Sequence, residues 1–138
     1  MITKLKAILI DDEKGSLESL SFELREYCPE VEVVASSQDP KEGLRLIQKW
    51  SPDLLFLDIE MPGMNGFELL QQLGDVSLHV IFVTAYDQFA IRAFDLNAID
   101  YVLKPVRKTK LISAVQKVVD RQQPKLDTSG LEALIQNI

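Results

Sequence analysis

The sequence predicts an α/β fold, a doubly wound sheet of five parallel strands accompanied by five helices. Two observations predict it. Short apolar runs alternate with segments of helical periodicity from one end of the chain to the other, the pattern of a parallel sheet covered on both faces. One after another, those runs stop at an acidic, hydroxyl or basic residue, as strands do when their carboxyl ends line a cleft.

Leu5 to Ile10 is the first strand, stopped by Asp11-Asp12-Glu13. Leu17, Leu20, Leu24 and Tyr27 then recur at helical spacing. Val31 to Ala35 is the second strand. Asp39 is an N-cap, Pro40 suits the first helical position, and Glu42 completes a capping-box spacing. Leu44, Ile47 and Trp50 give that helix its apolar side. Leu54 to Leu57 is a buried strand ending at Asp58, followed by the turn Met61-Pro62-Gly63-Met64-Asn65-Gly66. In that turn Pro62 fixes φ and Gly63 permits φ > 0. Phe67, Leu70 and Leu73 mark the third helix, and Gly74 ends it. Val80 to Val83 is the fourth strand, ending at Thr84. Phe89, Ala93 and Leu96 mark the fourth predicted helix. Tyr101 to Leu103 is the fifth strand, before Lys104-Pro105. Leu111, Val115, Val118 and Val119 mark the fifth predicted helix.

The chain has 138 residues, 46% hydrophobic and 26% charged, which suits one soluble domain with its own core. Residues 1–123 read as that domain and 124–138 as a linker and the start of a further helix. The net charge of −6 argues against this stretch itself coating nucleic acid, which needs clustered Lys and Arg. The apolar run after Lys4 and Lys6 is too short for a signal peptide or a membrane span. The single cysteine, Cys28, forms no internal disulfide and fits a reducing, cytoplasmic setting. It is expected to pack in the core. His79, the one histidine, is expected to be an ordinary strand-start residue, because a lone His offers neither metal-site spacing nor a paired base.

Asp11, Asp12, Asp58, Thr84 and Lys104 all fall at strand ends. Singly, each reads as a charge or hydroxyl facing water. Together they bring three carboxylates, a hydroxyl and an ammonium to one edge of the sheet. Crowded carboxylates repel and raise one another's pKa unless a cation sits among them. Hard oxygen ligands of this kind suit Mg²⁺, which also accepts a phosphate oxygen. A lysine and a hydroxyl at the same spot can hold a phosphoryl group, and a carboxylate such as Asp58 can be the nucleophile that takes it.

Asp11-Asp12-Glu13, the run Leu57-Asp58-Ile59-Glu60-Met61-Pro62-Gly63-Met64-Asn65-Gly66, Thr84-Ala85 and Tyr101-Val102-Leu103-Lys104-Pro105 resemble the signature blocks of receiver domains of two-component response regulators. The resemblance covers roughly Leu5 to Gln122. It implies a flavodoxin-like sheet of order 2-1-3-4-5 and a phosphoprotein of a phosphorelay, phosphorylated on Asp58 by a sensor histidine kinase. It implies Mg²⁺ held by Asp12, Asp58 and the backbone carbonyl of Glu60, with Asp11 acting through a metal-bound water. Thr84 and Lys104 would contact the phosphoryl oxygens, beside the small Ala85. The Glu60 side chain would border the route of water to the acceptor. A cis peptide is implied between Lys104 and Pro105. The resemblance also implies a switch pair, Thr84 at the phosphate and Tyr101 on the exposed side of the next strand. That pair would remodel the face of the fourth helix, fifth strand and fifth helix, and so drive a homodimer.

Ala85-Tyr86-Asp87-Gln88-Phe89-Ala90-Ile91-Arg92-Ala93-Phe94 and Asn97-Ala98-Ile99-Asp100-Tyr101 resemble receivers attached to LytTR-type DNA-binding domains, although Phe89, Ala90, Ala93 and Phe94 also serve as a helix's core side. Pro124 to Gly130 is linker-like. Leu131, Leu134, Ile135 and Ile138 recur at helical spacing, with Ser129 and Glu132 as a capping box. A transcription regulator whose DNA-binding part lies beyond this stretch is the leading expectation, and a stand-alone receiver acting by protein–protein contact the alternative. In either case the domain is expected to be a signalling switch and not a turnover enzyme. A phosphohydrolase of the haloacid-dehalogenase type would place Asp-x-Asp on strand one and need chain for a substrate cap. A flavin carrier would need a Ser/Thr/Gly-rich loop after strand one.

Overall fold

The computed structural model describes residues 4–74, 76–87, 98–121 and 135–136. Its elements are β1 (Leu5–Ile10), α1 (Lys14–Tyr27), β2 (Val31–Ser37), α2 (Pro40–Trp50), β3 (Leu54–Leu57), α3 (Gly66–Leu73), β4 (His79–Thr84), β5 (Asp100–Leu103) and α4 (Lys108–Asp120). The helix predicted around Phe89, Ala93 and Leu96 lies outside the described residues, so α4 is the fifth helix of the sequence reading.

The five strands form one parallel sheet in the order β2-β1-β3-β4-β5, as expected. Side chains alternate across a strand, and the apolar runs therefore feed two core layers. Ile8, Ile10, Leu55, Leu57, Val80, Phe82 and Tyr101 point to one layer, with Ile47 of α2 and Phe67, Leu69 and Leu70 of α3. Ala7, Leu9, Leu54, Phe56, Ile81, Val83 and Val102 point to the other, with Leu17, Leu20 and Leu24 of α1 and Leu111, Ala114, Val115 and Val118 of α4. This two-sided burial is why the strands read as continuous apolar runs.

Helix starts follow local chemistry. Asp39 caps α2 by accepting from the Lys41 N–H at 3.0 Å. A reciprocal capping box stands at α3, where Asn65 accepts from the Glu68 N–H at 2.9 Å and Glu68 accepts from the Asn65 N–H at 3.0 Å. Gly63 has φ 83°, as the turn requires. Three expectations need correction. Trp50 and Tyr27 are exposed and do not complete the apolar sides of their helices, and Val119 is likewise exposed on α4. In each helix the neighbouring Leu24, Ile47 or Val118 takes the core position of the last turn. Cys28 is buried in the second layer. Among the described residues no helix is long and apolar enough to cross a membrane.

Candidate functional site

Register decides what meets at the carboxyl edge of the sheet. Ile10 lies beside Leu57, Leu57 beside Phe82, and Thr84 beside Leu103. The next residues along each strand therefore emerge together. The Asp58 N–H donates to the Ile10 carbonyl at 3.0 Å, and the Lys104 N–H donates to the Thr84 carbonyl at 2.8 Å. The Lys104–Pro105 bond that follows is cis.

One carboxylate oxygen each from Asp11, Asp12 and Asp58 lies within 4.8 Å of the others. Lys104 Nζ reaches into this group, 2.8 Å from Asp11 Oδ2, 3.3 Å from Asp58 Oδ2 and 3.0 Å from Glu13 Oε1. Asp58 Oδ1 accepts from the Ile59 N–H at 2.7 Å, and Asp11 Oδ1 accepts from the Glu13 N–H at 3.0 Å. Thr84 is fully buried. Its hydroxyl favours the charged form of Asp58, and its Oγ1 accepts from the Tyr86 N–H at 3.4 Å.

Charge at this edge is not balanced internally. Burial pushes the Asp58 carboxyl above its ordinary range. The Thr84 hydroxyl and the Lys104 charge pull it back, and the Asp11 charge adds to the rise. Asp12 is also pushed up, first by burial and then by Asp11. For Lys104, burial works to lower the pKa, but hydrogen bonds to Asp11 and Glu13 and the charge of Asp58 outweigh it and hold the ammonium. Four carboxylates facing one ammonium leave an uncompensated negative charge at a desolvated edge, a donor set that fits a hard divalent cation. A cleft of about 580 Å³ opens beside it, lined by Asp12, Glu60, Tyr86, Glu68 and the Met61–Asn65 turn. Glu60 pushes the Tyr86 phenol pKa up from its ordinary value.

Asp11, Asp12, Asp58, Thr84 and Lys104 are thus brought together, and Glu60 borders the cleft beside them. Tyr101 is different. It sits on β5 beside Phe82, but it is not on the exposed side. Its ring is buried in the first layer, 6.2 Å from the Phe82 ring, and its hydroxyl donates to the Tyr86 carbonyl. A β5 residue alternates between the two layers, and Tyr101 takes the one beneath the Tyr86 loop. His79 is the half-buried first residue of β4, and burial lowers its pKa.

Some residues of consequence escaped the sequence reading. Glu13 is a third carboxylate on Lys104; its place in the acidic run was the available signal. Gly66 abuts the acceptor strand so closely that a Cβ there would lie 2.5 Å from the Asp58 carbonyl oxygen. Asp100, 1% exposed, accepts from the Tyr101 N–H at 2.8 Å, Lys110 Nζ at 2.9 Å and Lys117 Nζ at 2.8 Å. The seven-residue spacing of the two lysines puts them on one side of α4.

The response regulator receiver domain family matches residues 7–116. An uncharacterized response regulatory protein of Vibrio cholerae serotype O1 is 45% identical over 128 residues, covering 92% of this chain and 53% of that protein. The sensory transduction protein LytT of Bacillus cereus is 32% identical over 126 residues, covering 90% of this chain and 51% of that protein. The crystal structure of the response regulatory domain of protein mrkE from Klebsiella pneumoniae superposes with a TM-score of 0.75 at 32% identity, covering 83% of this chain and 95% of that one. The chain belongs to the response regulator receiver domain family. It spans about half the length of the relatives it matches.

Proposed function

We propose that this receiver takes a phosphoryl group on Asp58 from a sensor histidine kinase and that the modification is read out by a LytTR-type DNA-binding part of a longer regulator. The observation that carries the reading is the placement of Lys104 Nζ, 2.8 Å from Asp11 and 3.3 Å from Asp58, at the strand end beside the fully buried Thr84. An Asp58 oxygen attacks phosphorus, and the bond from phosphorus to the donor's imidazole nitrogen breaks with its electron pair leaving on that nitrogen. The aspartyl phosphate that forms is an acyl phosphate, and attack by water later returns the carboxylate and inorganic phosphate.

The chain's own groups prepare that step. The Ile59 N–H, the Thr84 hydroxyl and the Lys104 ammonium fix the orientation of the Asp58 carboxylate. On transfer, Lys104 and Thr84 face the new phosphoryl oxygens and offset their charge. Asp12, Asp58 and the Glu60 carbonyl would hold Mg²⁺, with Asp11 acting through water. Bound Mg²⁺ supplies charge neutralisation at the phosphoryl oxygens. Tyr86 and Glu60 line the cleft beside this edge, where the Glu60 side chain borders the route of water to the acceptor. The domain is read as a cytoplasmic switch that modifies itself and turns over no external substrate. Domain limits of 1–123, with a linker from 124, suit this reading.

Output runs through Tyr101. Its hydroxyl is bonded to the Tyr86 carbonyl, and the Tyr86 N–H is bonded to Thr84. A phosphoryl group on Asp58 that engages the Thr84 hydroxyl pulls on the same loop and biases Tyr101 and the face of the fourth predicted helix, β5 and α4, a two-state element of the kind switches use. That face is proposed to pair two copies about a two-fold axis. Incubation with acetyl phosphate and Mg²⁺, with a chelator control, tests the reading. Metal-dependent gain of one phosphoryl group supports it, whereas hydrolysis of general phosphatase substrates with no label on the protein would favour a phosphohydrolase.

A further inference from the structure

Asp12 lies in the link between β1 and α1. The first turn of α1 bonds to the Glu13 carbonyl, which accepts from the Leu17 N–H at 3.2 Å, so the Asp12 carbonyl stands outside the helix ladder. The Glu13 side chain does not cap α1. What fixes the Asp12 carboxylate is therefore the setting of its own peptide units.

The peptide joining Asp12 to Glu13 is held at both ends. Its carbonyl accepts from Gln38 Nε2 at 3.0 Å, and its N–H donates to Asp11 Oδ1 at 3.0 Å. One residue earlier, the Asp11 N–H donates to the Ser37 carbonyl at 3.2 Å. Gln38 is itself set by its neighbours. The Asp39 N–H donates to the Ser37 hydroxyl at 3.0 Å, and that hydroxyl donates to the Asp39 carbonyl at 3.0 Å. These bonds close the loop that carries Gln38 onto the end of β2.

The aim of Gln38 comes from a slip in the sheet. Val33 stands beside Ala7 but Ala35 beside Ile8, so Val34 is an extra residue of β2. Val33 packs on the second layer, whereas Val34 and Ala35 both pack on the first, as at a bulge. A one-residue slip turns every later side chain to the other face. Ser37 consequently lies beside Ile10, and Gln38 comes out on the α1 side, in a groove with Lys14, Leu17 and Glu18. Without the extra residue Ile10 would stand beside Ser36, and Gln38 would turn toward α2 instead.

We infer that Gln38 is a positioning residue for the metal: its side-chain amide, aimed by the bulge at Val34, sets the Asp12–Glu13 peptide and with it the Asp12 carboxylate toward Mg²⁺. The inference rests on the reading of Asp12 as a Mg²⁺ ligand. It gives the end of β2, a strand that supplies none of the ligands named above, a part in metal affinity.

Two variants of the full chain test it. Gln38→Leu keeps the bulk and removes the donor, and Gln38→Asn keeps the amide but is one methylene too short. Without metal, the Glu13 amide should exchange about three- to tenfold faster in both, the size of one exposed hydrogen bond, while the β1 and β3 amides keep the parent's protection. Calorimetric titration with Mg²⁺ should give a Kd raised by about the same factor, and saturating Mg²⁺ should restore the parent's rate of labelling by acetyl phosphate. Parent-like exchange at Glu13 would overturn the inference. So would a parent-like Kd in Gln38→Leu where Asp12→Ala has lost binding, and so would weakened binding accompanied by lost protection across β1, because Gln38 would then act on the fold. A Mg²⁺ titration of Asp12→Ala that matches the parent's would instead sink the metal reading, and this inference with it.

Discussion

Replacing Gly66 by Ala tests how the acceptor strand is held. The added Cβ would stand 2.5 Å from the Asp58 carbonyl oxygen, 3.3 Å from its carbonyl carbon and 3.1 Å from Ile59 Cα. The first distance is roughly 1 Å short of ordinary van der Waals separation. All three atoms are backbone, so no rotamer change relieves the overlap, and α3 or the strand end must move. The Gly66 N–H donates to the Ile59 carbonyl at 2.7 Å, which ties the two segments and opposes that movement. Overpacking of this sort costs about 1–3 kcal/mol, and the better helix propensity of Ala returns at most about 1 kcal/mol. A net loss of about 1–2 kcal/mol should lower Tm by roughly 4–8 °C for a chain of this size. The same displacement moves the main chain of Asp58, where errors approaching 1 Å cost up to about 100-fold in rate, so labelling by acetyl phosphate should slow by about tenfold or more. Gly15→Ala is the control, because nothing lies within 4 Å of a Cβ there; it should match or exceed the parent in both assays. A Gly66→Ala protein with the parent's Tm and labelling rate would refute the argument that this contact sets the acceptor's position.

Other perturbations have definite signs. Asp12→Ala should weaken Mg²⁺ binding strongly, read by titration, because Mg²⁺ needs its direct carboxylates to offset dehydration; Asp11→Ala should weaken it less. Asp100→Asn should cost about 1–3 kcal/mol in urea unfolding at neutral pH, the cost of breaking a buried pair reduced because Lys110 and Lys117 are partly exposed. Burial works to raise the Asp100 pKa, but the two lysines and the Tyr101 N–H outweigh it and hold it below the ordinary carboxylate range. Its contribution is therefore present above the unfolded pKa and lost as pH falls through the folded one, and the gap between parent and variant should close in acid. Asp58→Asn in metal-free buffer should raise the urea midpoint at neutral pH, because folding pushes the Asp58 pKa up and so works against its charged form, and Lys104 keeps Asp11 and Glu13. Beryllofluoride with Mg²⁺ should increase the sedimenting mass toward a dimer, and Tyr101→Ala should blunt that change.

Much of this was legible before any coordinates, for a physical reason. A strand buried on both faces is a short apolar run, and the residue that ends it stands at the sheet edge, so Asp11, Asp58, Thr84 and Lys104 could be read directly. Contacts set by chain crossing were not legible. Nothing in the spacing of Asp100, Lys110 and Lys117 says that β5 and α4 bring them together. The closeness of Gly66 to Asp58 depends on how far α3 stands from β3, and a sequence pattern does not carry that distance. Tyr101 was expected on the exposed side, but packing of its ring against Phe82, which a sequence pattern does not carry, seats it in the first layer. Trp50 misled in the opposite way, with helical spacing but a place past the end of the layer.

The central claim is that Asp58 takes the phosphoryl group at an edge made of Asp11, Asp12, Thr84 and Lys104. Intact-mass spectrometry after acetyl phosphate and Mg²⁺ tests it most directly, with the parent chain and Asp58→Asn treated side by side. The account predicts the mass of one phosphoryl group on the parent, none without Mg²⁺, and none on Asp58→Asn. Equal labelling of Asp58→Asn would contradict it.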